Sequence, residues 1–193
     1  MFPLWLVAAG YLSGSVPFGV LLTRWFGRTD PRTAGSGNIG ATNVARVAGK
    51  KLGIAVLLLD AAKGALPVSL ALRLYPEAPW VHAAVGLAAF LGHVFPVWLH
   101  FRGGKGVATA LGLMAVLAPL PTLAGAAVFV ALAAALRVVA LGSLGGGAAV
   151  TAACFLLGRP METCVLSAAL LVLMVFTHRG NLSRIWKHLE PKL

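Results

Sequence analysis

Three short segments of the chain hold residues whose types and spacing suit chemistry on a phosphate. The first, residues 34–43, reads AGSGNIGATN and combines glycine with hydroxyl and amide side chains. Glycine permits positive φ, and backbone N–H groups released in such turns bind anions. Arg46 follows Thr42 by four residues and Asn43 by three, so a helix beginning near Ala41 places them on one face, near a terminus that favours negative charge. A flexible polar loop, or a close helix crossing through small residues, is the alternative.

The second segment, residues 101–109, reads FRGGKGVAT and places Lys105 among glycines at the start of an apolar run. It does not match the nucleotide-binding P-loop, which requires glycine where the chain has Leu99 and Ser or Thr where it has Gly106. A lysine beside exposed backbone donors at a helix N-terminus suits a phosphate or a developing oxyanion. A basic membrane anchor is the alternative, but it leaves the glycines unexplained.

The third segment, HRGNLSR at residues 178–184, follows the last apolar run and places His178 and Asn181 on one helical face. A lone histidine at a membrane interface is more often structural than catalytic, so its interpretation depends on the other segments. Asp60 and Lys63 lie three residues apart inside an apolar run, and we interpret them as a structural ion pair within the membrane.

Several patterns are absent from the sequence, and their absence narrows the chemistry. The chain has neither the His-x-x-x-x-Asp pattern of one acyltransferase type nor a Gly-x-Ser-x-Gly nucleophile elbow. Its five histidines show no metal-ligand spacing. We therefore expect no metal ion and no cofactor.

The elements that position these segments are membrane helices, because 59% of the residues are hydrophobic and only 11% are charged. Soluble domains carry about 25% charged residues. The apolar runs cover residues 2–23, 52–72, 80–99, 107–136, 141–157 and 163–176. The fourth would form a helix of about 45 Å, against a hydrocarbon core of about 30 Å, and it contains Pro119 and Pro121. We divide it, which predicts an all-α integral membrane protein with seven transmembrane helices, several of them short.

The charge distribution predicts how these helices are oriented. The chain has sixteen Lys and Arg residues against five Asp and Glu, and cytoplasmic loops of membrane proteins collect Lys and Arg. Seven helices with the N-terminus outside place most of these cations, all three segments and the C-terminus on the cytoplasmic side, whereas six helices give a weaker contrast. The sequence thus predicts a single transmembrane domain, residues 1–193, whose glycine-rich cytoplasmic loops could converge on one site that attracts phosphates or anionic lipid headgroups.

Four blocks closely resemble the bacterial PlsY family of acyl-phosphate:glycerol-3-phosphate acyltransferases: SGSVPFG at 13–19, GSGNIGATN at 35–43, GHVFPVWLHFRGGKGVAT at 92–109 and HRGNLSR at 178–184. The resemblance extends over essentially the whole chain. It implies transfer of a fatty acyl group to the 1-hydroxyl of glycerol 3-phosphate, which gives lysophosphatidic acid and inorganic phosphate in the first acylation of bacterial phospholipid synthesis. It also implies a place in the bacterial inner membrane, with glycerol 3-phosphate, long-chain acyl phosphate and membrane lipids as partners and no nucleic acid.

The resemblance also implies which residues act. The predicted catalytic residues are Ser36, Arg46, Lys105, His178 and Asn181. The resemblance adds Ser143 and the glycine-rich loop around Lys105 as substrate-binding positions, and the residue types of the first segment add the others. The predicted substrate-binding residues are Gly37, Asn38, Thr42, Asn43, Gly103, Gly104, Gly106 and Ser143. Where the family tail often has Gly-Thr, this chain has His188 and Leu189 before Glu190, so no role is carried over to Glu190.

The chemistry leaves the general base open. An acyl phosphate is already activated, so no covalent serine intermediate is needed, and the protein must orient the hydroxyl and stabilise the oxyanion. The base is then a substrate phosphate, since phosphate monoesters titrate near pH 6, or it is His178. Two other classes of function compete with the enzyme: an organophosphate transporter or channel, although the sequence shows no internal repeat, and a non-enzymatic membrane protein that binds anionic lipid.

Overall fold

The computed structural model of the protein describes residues 3–192, so the predicted run 2–23 begins one residue outside the described part. Within that part the chain forms helices and short connections, without a β-strand. The helices are α1 (Leu4–Ser15), α2 (Phe18–Trp25), α3 (Ala41–Ala48), α4 (Lys50–Leu74), α5 (Pro79–Val94), α6 (Val107–Leu117), α7 (Pro119–Leu136), α8 (Val139–Leu156), α9 (Met161–Thr177) and α10 (Arg179–Trp186), with a 3-10 turn at Val97–Leu99. The all-α prediction is confirmed.

Four of the described helical segments are long and apolar enough to cross a membrane: Lys50–Leu74, Pro79–Leu99, Pro119–Leu136 and Val139–Leu156. Two bent pairs, α1 with α2 and α9 with α10, raise the number to as many as six. The remaining apolar helix, α6, has 11 residues and is about 16 Å long, about half the thickness of the hydrocarbon core. The predicted count of seven crossings therefore stays a prediction.

Proline sets the breaks in the apolar runs. The run at 107–136 is divided at Ala118, because Pro119 occupies the first position of α7 and lacks the N–H that would continue α6. This division was predicted. The first run is also divided, between α1 and α2, which meet at an angle of 42° at Val16 and Pro17. The prediction of one crossing for this run stays a prediction, and the break at Pro17 was not foreseen.

The chain forms two compact units, Met1–Leu113 and Met114–Leu193. In the first unit α1 packs against α5 through small residues, and a Cβ on Gly14 would lie only 2.7 Å from the carbonyl carbon of Ala89. In the second unit α7 packs against α8, where a Cβ on Gly125 would lie 2.7 Å from the carbonyl oxygen of Gly146. Small residues at such crossings let helix backbones approach closely, as membrane helices commonly do. The single domain expected from the sequence stays a prediction.

Candidate active site

Asn43, in the first turn of α3, organises the preceding loop at residues 31–40. Its side chain is buried, and Nδ2 lies 2.9, 3.0 and 2.9 Å from the carbonyl oxygens of Pro31, Ala34 and Asn38. Its Oδ1 accepts the backbone N–H of Ser36 at 2.9 Å. Because an amide offers two N–H groups and one acceptor oxygen, these contacts use its hydrogen-bonding capacity. Asn43 was predicted to bind substrate, and its observed contacts are with the loop.

The turn around Ser36 depends on the glycines on either side of it. Gly35 and Gly37 both have positive φ, at 62° and 71°, a region that is costly for residues with a Cβ. A Cβ on Gly35 would also lie 3.0 Å from Cγ1 of Val47 and would collide with the side-chain oxygen of Asn43. The pair of left-handed glycines leaves Ser36 exposed at the tip of the loop.

Arg46 lies beside this loop, one turn along α3 from Thr42. Its Nη1 is 3.5 Å from Oδ1 of Asn43, the same oxygen that accepts the N–H of Ser36. Thr42, Arg46 and Ser36 are all exposed. The structure thus brings two of the predicted catalytic residues, Ser36 and Arg46, to one group around Asn43, and their roles in the reaction stay predictions.

The glycine-rich segment before α6 folds back onto the end of α5. The N–H of Gly103 donates to the carbonyl of Val94 and the N–H of Gly104 donates to that of His93, each at 3.0 Å. These bonds satisfy carbonyls at the helix C-terminus, which have no partner inside the helix. The expectation of exposed donors at these two glycines is therefore wrong, because α5 already accepts their N–H groups. Their predicted contact with substrate stays untested.

Lys105 follows at the point where this segment enters α6. Its neighbours Gly104 and Gly106 are buried, whereas Lys105 itself is half-buried. Gly106 has φ of 83° and lies against the ring of Phe90, where a Cβ would come within 2.7 Å of Cδ2. The close packing of both glycines fixes the backbone on each side of Lys105.

A cavity of about 750 Å³ separates the two glycine-rich loops. It is lined by Arg32, Gly37 and Ile39 from the first loop and by Trp98, Leu99, His100, Arg102 and Gly103 from the second. Arg32 is paired with Asp30, Nη2 to Oδ2 at 2.6 Å, and its hydrogen bonds hold the pKa of that carboxyl below its usual value. No ion pair among residues 3–192 involves Arg102. The cavity therefore carries an uncompensated positive charge and suits an anion.

In the second unit, His178 closes α9 and is buried. Its Nδ1 lies 2.8 Å from the carbonyl oxygen of Met174. A carbonyl can only accept, so Nδ1 carries the proton and Nε2 of the neutral ring is an acceptor. That tautomer suits either a base or a residue that holds a substrate hydroxyl.

The tail gives Asn181 and Glu190 a contact that sequence reasoning missed. Nδ2 of Asn181 donates to Oε1 of Glu190, and Nε of Arg184 donates to Oε2 of the same carboxylate at 2.7 Å. The departure of residues 188 and 189 from the family pattern had left Glu190 without a role. The carboxylate nevertheless joins two residues of the HRGNLSR segment. Nothing in the sequence signals this contact, because the nine-residue separation of Asn181 and Glu190 matches no standard helical spacing.

Ser143, the remaining predicted residue of the second unit, lies in α8 and is buried. Its hydroxyl donates to the carbonyl of Val139, one turn earlier, at 2.9 Å. This bond is the common intrahelical use of a serine hydroxyl. Its predicted part in substrate binding stays a prediction.

The ion pair predicted inside the membrane is confirmed. Nζ of Lys63 lies 2.7 Å from Oδ1 of Asp60, and both side chains are buried. The same ammonium donates to the carbonyl of Val16 at 2.8 Å, at the break between α1 and α2. The sequence did not single out His93, whose Nδ1 lies 3.7 Å from Asp60 Oδ1.

Comparison with known proteins gives consistent matches along nearly the whole chain. The family model described as glycerol-3-phosphate acyltransferase matches residues 4–188. The glycerol-3-phosphate acyltransferase of Myxococcus xanthus (strain DK1622) is 62% identical over 187 residues, covering 97% of each chain. That of Anaeromyxobacter dehalogenans (strain 2CP-C) is 50% identical, covering 97% of this chain and 96% of its own. The crystal structure of PlsY (YgiH), an integral membrane glycerol 3-phosphate acyltransferase, in its glycerol 3-phosphate form, has a TM-score of 0.95 at 37% identity and covers 98% of this chain and 94% of its own.

Proposed function

Because the chain belongs to the PlsY family of integral membrane glycerol-3-phosphate acyltransferases, we propose that its acyl donor is a long-chain acyl phosphate. The 1-hydroxyl oxygen of glycerol 3-phosphate attacks the acyl carbonyl carbon, and the bond from that carbon to the phosphate oxygen breaks. The products are lysophosphatidic acid and inorganic phosphate, and the hydroxyl proton passes to the base, which is either a substrate phosphate or His178. A second solved PlsY structure is described as its lysophosphatidic acid form, which agrees with this product.

The observation that carries the proposal is the cavity lined by both glycine-rich loops. Both substrates carry a phosphate, so a cavity with positive charge suits them. In this proposal Arg46 and Lys105 hold phosphates and Ser36 orients the reacting groups; all three lie in or beside the two loops that border the cavity, outside its lining. Orientation and electrostatic stabilisation are sufficient, because the acyl phosphate already carries a good leaving group.

The resemblance to the family assigns three further residues to the reaction: His178 and Asn181 through the HRGNLSR motif, and Ser143 through its position in α8. For the base, a dianionic substrate phosphate and His178 remain the two candidates. The Nδ1–H tautomer supports His178 as an acceptor in either role. If His178 is the base, His178→Gln abolishes turnover while glycerol 3-phosphate still binds, and the rate follows a histidine-like titration. Weakened binding without that titration assigns it to positioning.

We also propose that the chain crosses the bacterial inner membrane seven times, with the N-terminus outside and the glycine-rich loops facing the cytoplasm. The excess of Lys and Arg around those loops supports this orientation. In this arrangement the short helix α6 and the longer helix α7 each make one crossing, and the break between them at Ala118 faces the outside. Reaction of single cysteines placed at Gly37 and at Gly158 with a membrane-impermeant maleimide tests it, because only position 158 should label from outside intact cells.

The donor is tested with purified protein in detergent. Palmitoyl phosphate and palmitoyl-CoA are supplied in parallel with radiolabelled glycerol 3-phosphate, and lysophosphatidate and released phosphate are measured. We expect product with palmitoyl phosphate alone, with one phosphate released for each lysophosphatidate. Product from palmitoyl-CoA alone contradicts the donor assignment. If glycerol 3-phosphate crosses liposome membranes and neither donor gives product, the transporter reading replaces the enzyme.

A further inference from the structure

A buried cluster of three ionisable side chains lies directly beneath the glycine-rich segment that carries Lys105. Asp60, Lys63 and His93 are 2%, 4% and 3% exposed. The ammonium of Lys63 contacts both Oδ1 of Asp60, at 2.7 Å, and the carbonyl oxygen of Val16, at 2.8 Å. Charged groups inside a membrane protein are costly and are kept mainly where they constrain something. The reaction proposed above does not use any of the three.

His93 connects this cluster to the loop in two ways. Its carbonyl accepts the N–H of Gly104 at 3.0 Å. Its ring lies against the same glycine, because a Cβ on Gly104 would come within 2.9 Å of Cε1 and 3.0 Å of Cδ2, with Nε2 nearer still. The ring edge thus touches the backbone directly before Lys105, and only a residue without a side chain fits there.

Asp60 lies beside Nδ1 of that ring. Nδ1 of His93 lies 3.7 Å from Asp60 Oδ1 and has no hydrogen-bond partner in the described part of the chain. The distance exceeds that of an N–H···O bond by about 0.5 Å, so a small ring rotation closes it. With Nδ1–H directed at the carboxylate, Nε2 is the acceptor and faces Gly104.

We propose that Asp60 and His93 are positioning residues for the acyl transfer: Asp60 sets the orientation of the His93 ring, and the ring sets the backbone that carries Lys105. Lys63 holds the carboxylate in place from the other side. None of the three touches substrate. The inference rests on the proposed function, because it assigns them to the same phosphate-holding lysine.

The test is a double-mutant cycle on glycerol 3-phosphate binding, measured by equilibrium dialysis with the radiolabelled compound. Asn at position 93 keeps a polar atom near Asp60 but does not reach Gly104. We expect His93→Asn to weaken binding about 10-fold, since small misplacements of a binding group cost up to about 100-fold. In the Lys105→Ala background, the same substitution should change the Kd less than twofold, because its effect passes through Lys105. An equal fold-change in both backgrounds, or an unchanged Kd in His93→Asn itself, overturns the proposal.

His82→Asn is the matched control. His82 is also a buried histidine of α5, but its Nε2 meets the carbonyl of Tyr75, at the opposite end of the helix from Gly104. It should leave the Kd within twofold of wild type even where the melting temperature falls. If His93→Asn does not fold, the double variant Asp60→Asn/Lys63→Met replaces it, because it removes both charges together. We expect this double variant to bind glycerol 3-phosphate about 10-fold more weakly than wild type, and to have no such effect in the Lys105→Ala background. A wild-type Kd for the double variant overturns the proposal.

Binding and turnover separate this inference from the proposed function. If the wild-type protein binds glycerol 3-phosphate but forms no lysophosphatidate from palmitoyl phosphate, the proposed donor is refuted. The double-mutant cycle measured on Kd still decides the positioning role. If the wild-type protein turns over and His93→Asn weakens binding equally with and without Lys105→Ala, only the positioning role is refuted.

Discussion

Asn43→Asp is the substitution that most directly tests how the first glycine-rich loop is built. The change is isosteric, but it replaces the Nδ2 amide, which lies within 3.0 Å of the carbonyls of Pro31, Ala34 and Asn38, by an oxygen that cannot donate when ionised. Two N–H groups are lost, and each hydrogen bond contributes about 1 kcal/mol net, so loop 31–40 should lose about 2 kcal/mol against local opening. That corresponds to about 30-fold faster amide exchange.

Hydrogen exchange followed by mass spectrometry measures this effect on peptides covering residues 31–40, with kcat/KM recorded in parallel. We expect faster exchange in the loop, little change in α7 and α8, and a fall in kcat/KM of about 100-fold because Ser36 and Arg46 lose their common anchor. Asn38→Ala is the comparison, since Oδ1 of Asn38 accepts only the N–H of Gly40 at 2.8 Å among the described contacts, and it should speed exchange less. Lost activity with unchanged loop exchange in Asn43→Asp refutes the organising role and assigns the side chain to substrate contact.

Three further substitutions test the rest of the account. Gly104→Ala should lower kcat/KM at least 10-fold, because the added Cβ meets the His93 ring. Gly147→Ala is the control and should change kcat/KM less than twofold, because the nearest atoms would lie 3.4 Å from its Cβ. Equal effects of the two substitutions would contradict the packing of Gly104 against His93. Lys63→Met should lower the free energy of unfolding by about 3–5 kcal/mol, because it leaves Asp60 buried and unpaired. Adding Asp60→Asn should recover most of this loss, as measured by thermal unfolding. If the double variant is as unstable as Lys63→Met, the broken ion pair is not the cause. Glu190→Gln should lower kcat/KM about 10-fold, by weakening the 2.7 Å ion pair with Arg184, and an unchanged value refutes a role for the tail carboxylate.

Sequence reasoning located the membrane helices because apolar runs and prolines act locally. The break before Pro119 could be predicted since the run there was too long for one crossing and proline lacks the required N–H. The same logic applied to Pro17 but went unused, because the run at 2–23 already had the length of one crossing. That residues 3–192 form helices without a strand followed from composition, whereas the bend between α1 and α2 depended on how one proline is accommodated.

The candidate site was predicted less completely, because it depends on contacts between segments distant in sequence. The glycine blocks and Lys105 were visible as motifs. No motif predicts that the N–H groups of Gly103 and Gly104 donate to the end of α5, because the acceptors are main-chain carbonyls, which any residue could supply. His93 was overlooked for a similar reason: it is a single histidine in an apolar run, and its partner Asp60 belongs to another helix.

The loop carrying Lys105 holds a reacting phosphate in the proposed function, and the kcat/KM of Lys105→Ala for glycerol 3-phosphate, with palmitoyl phosphate as donor, tests this role. Lys51→Ala is the matched control, because Lys51 is an exposed lysine in the first turn of α4. We expect Lys105→Ala to lower kcat/KM at least about 100-fold, the size expected when a group that stabilises developing charge is removed, and Lys51→Ala to change it less than twofold. Equal values of kcat/KM for Lys105→Ala and Lys51→Ala would contradict this role.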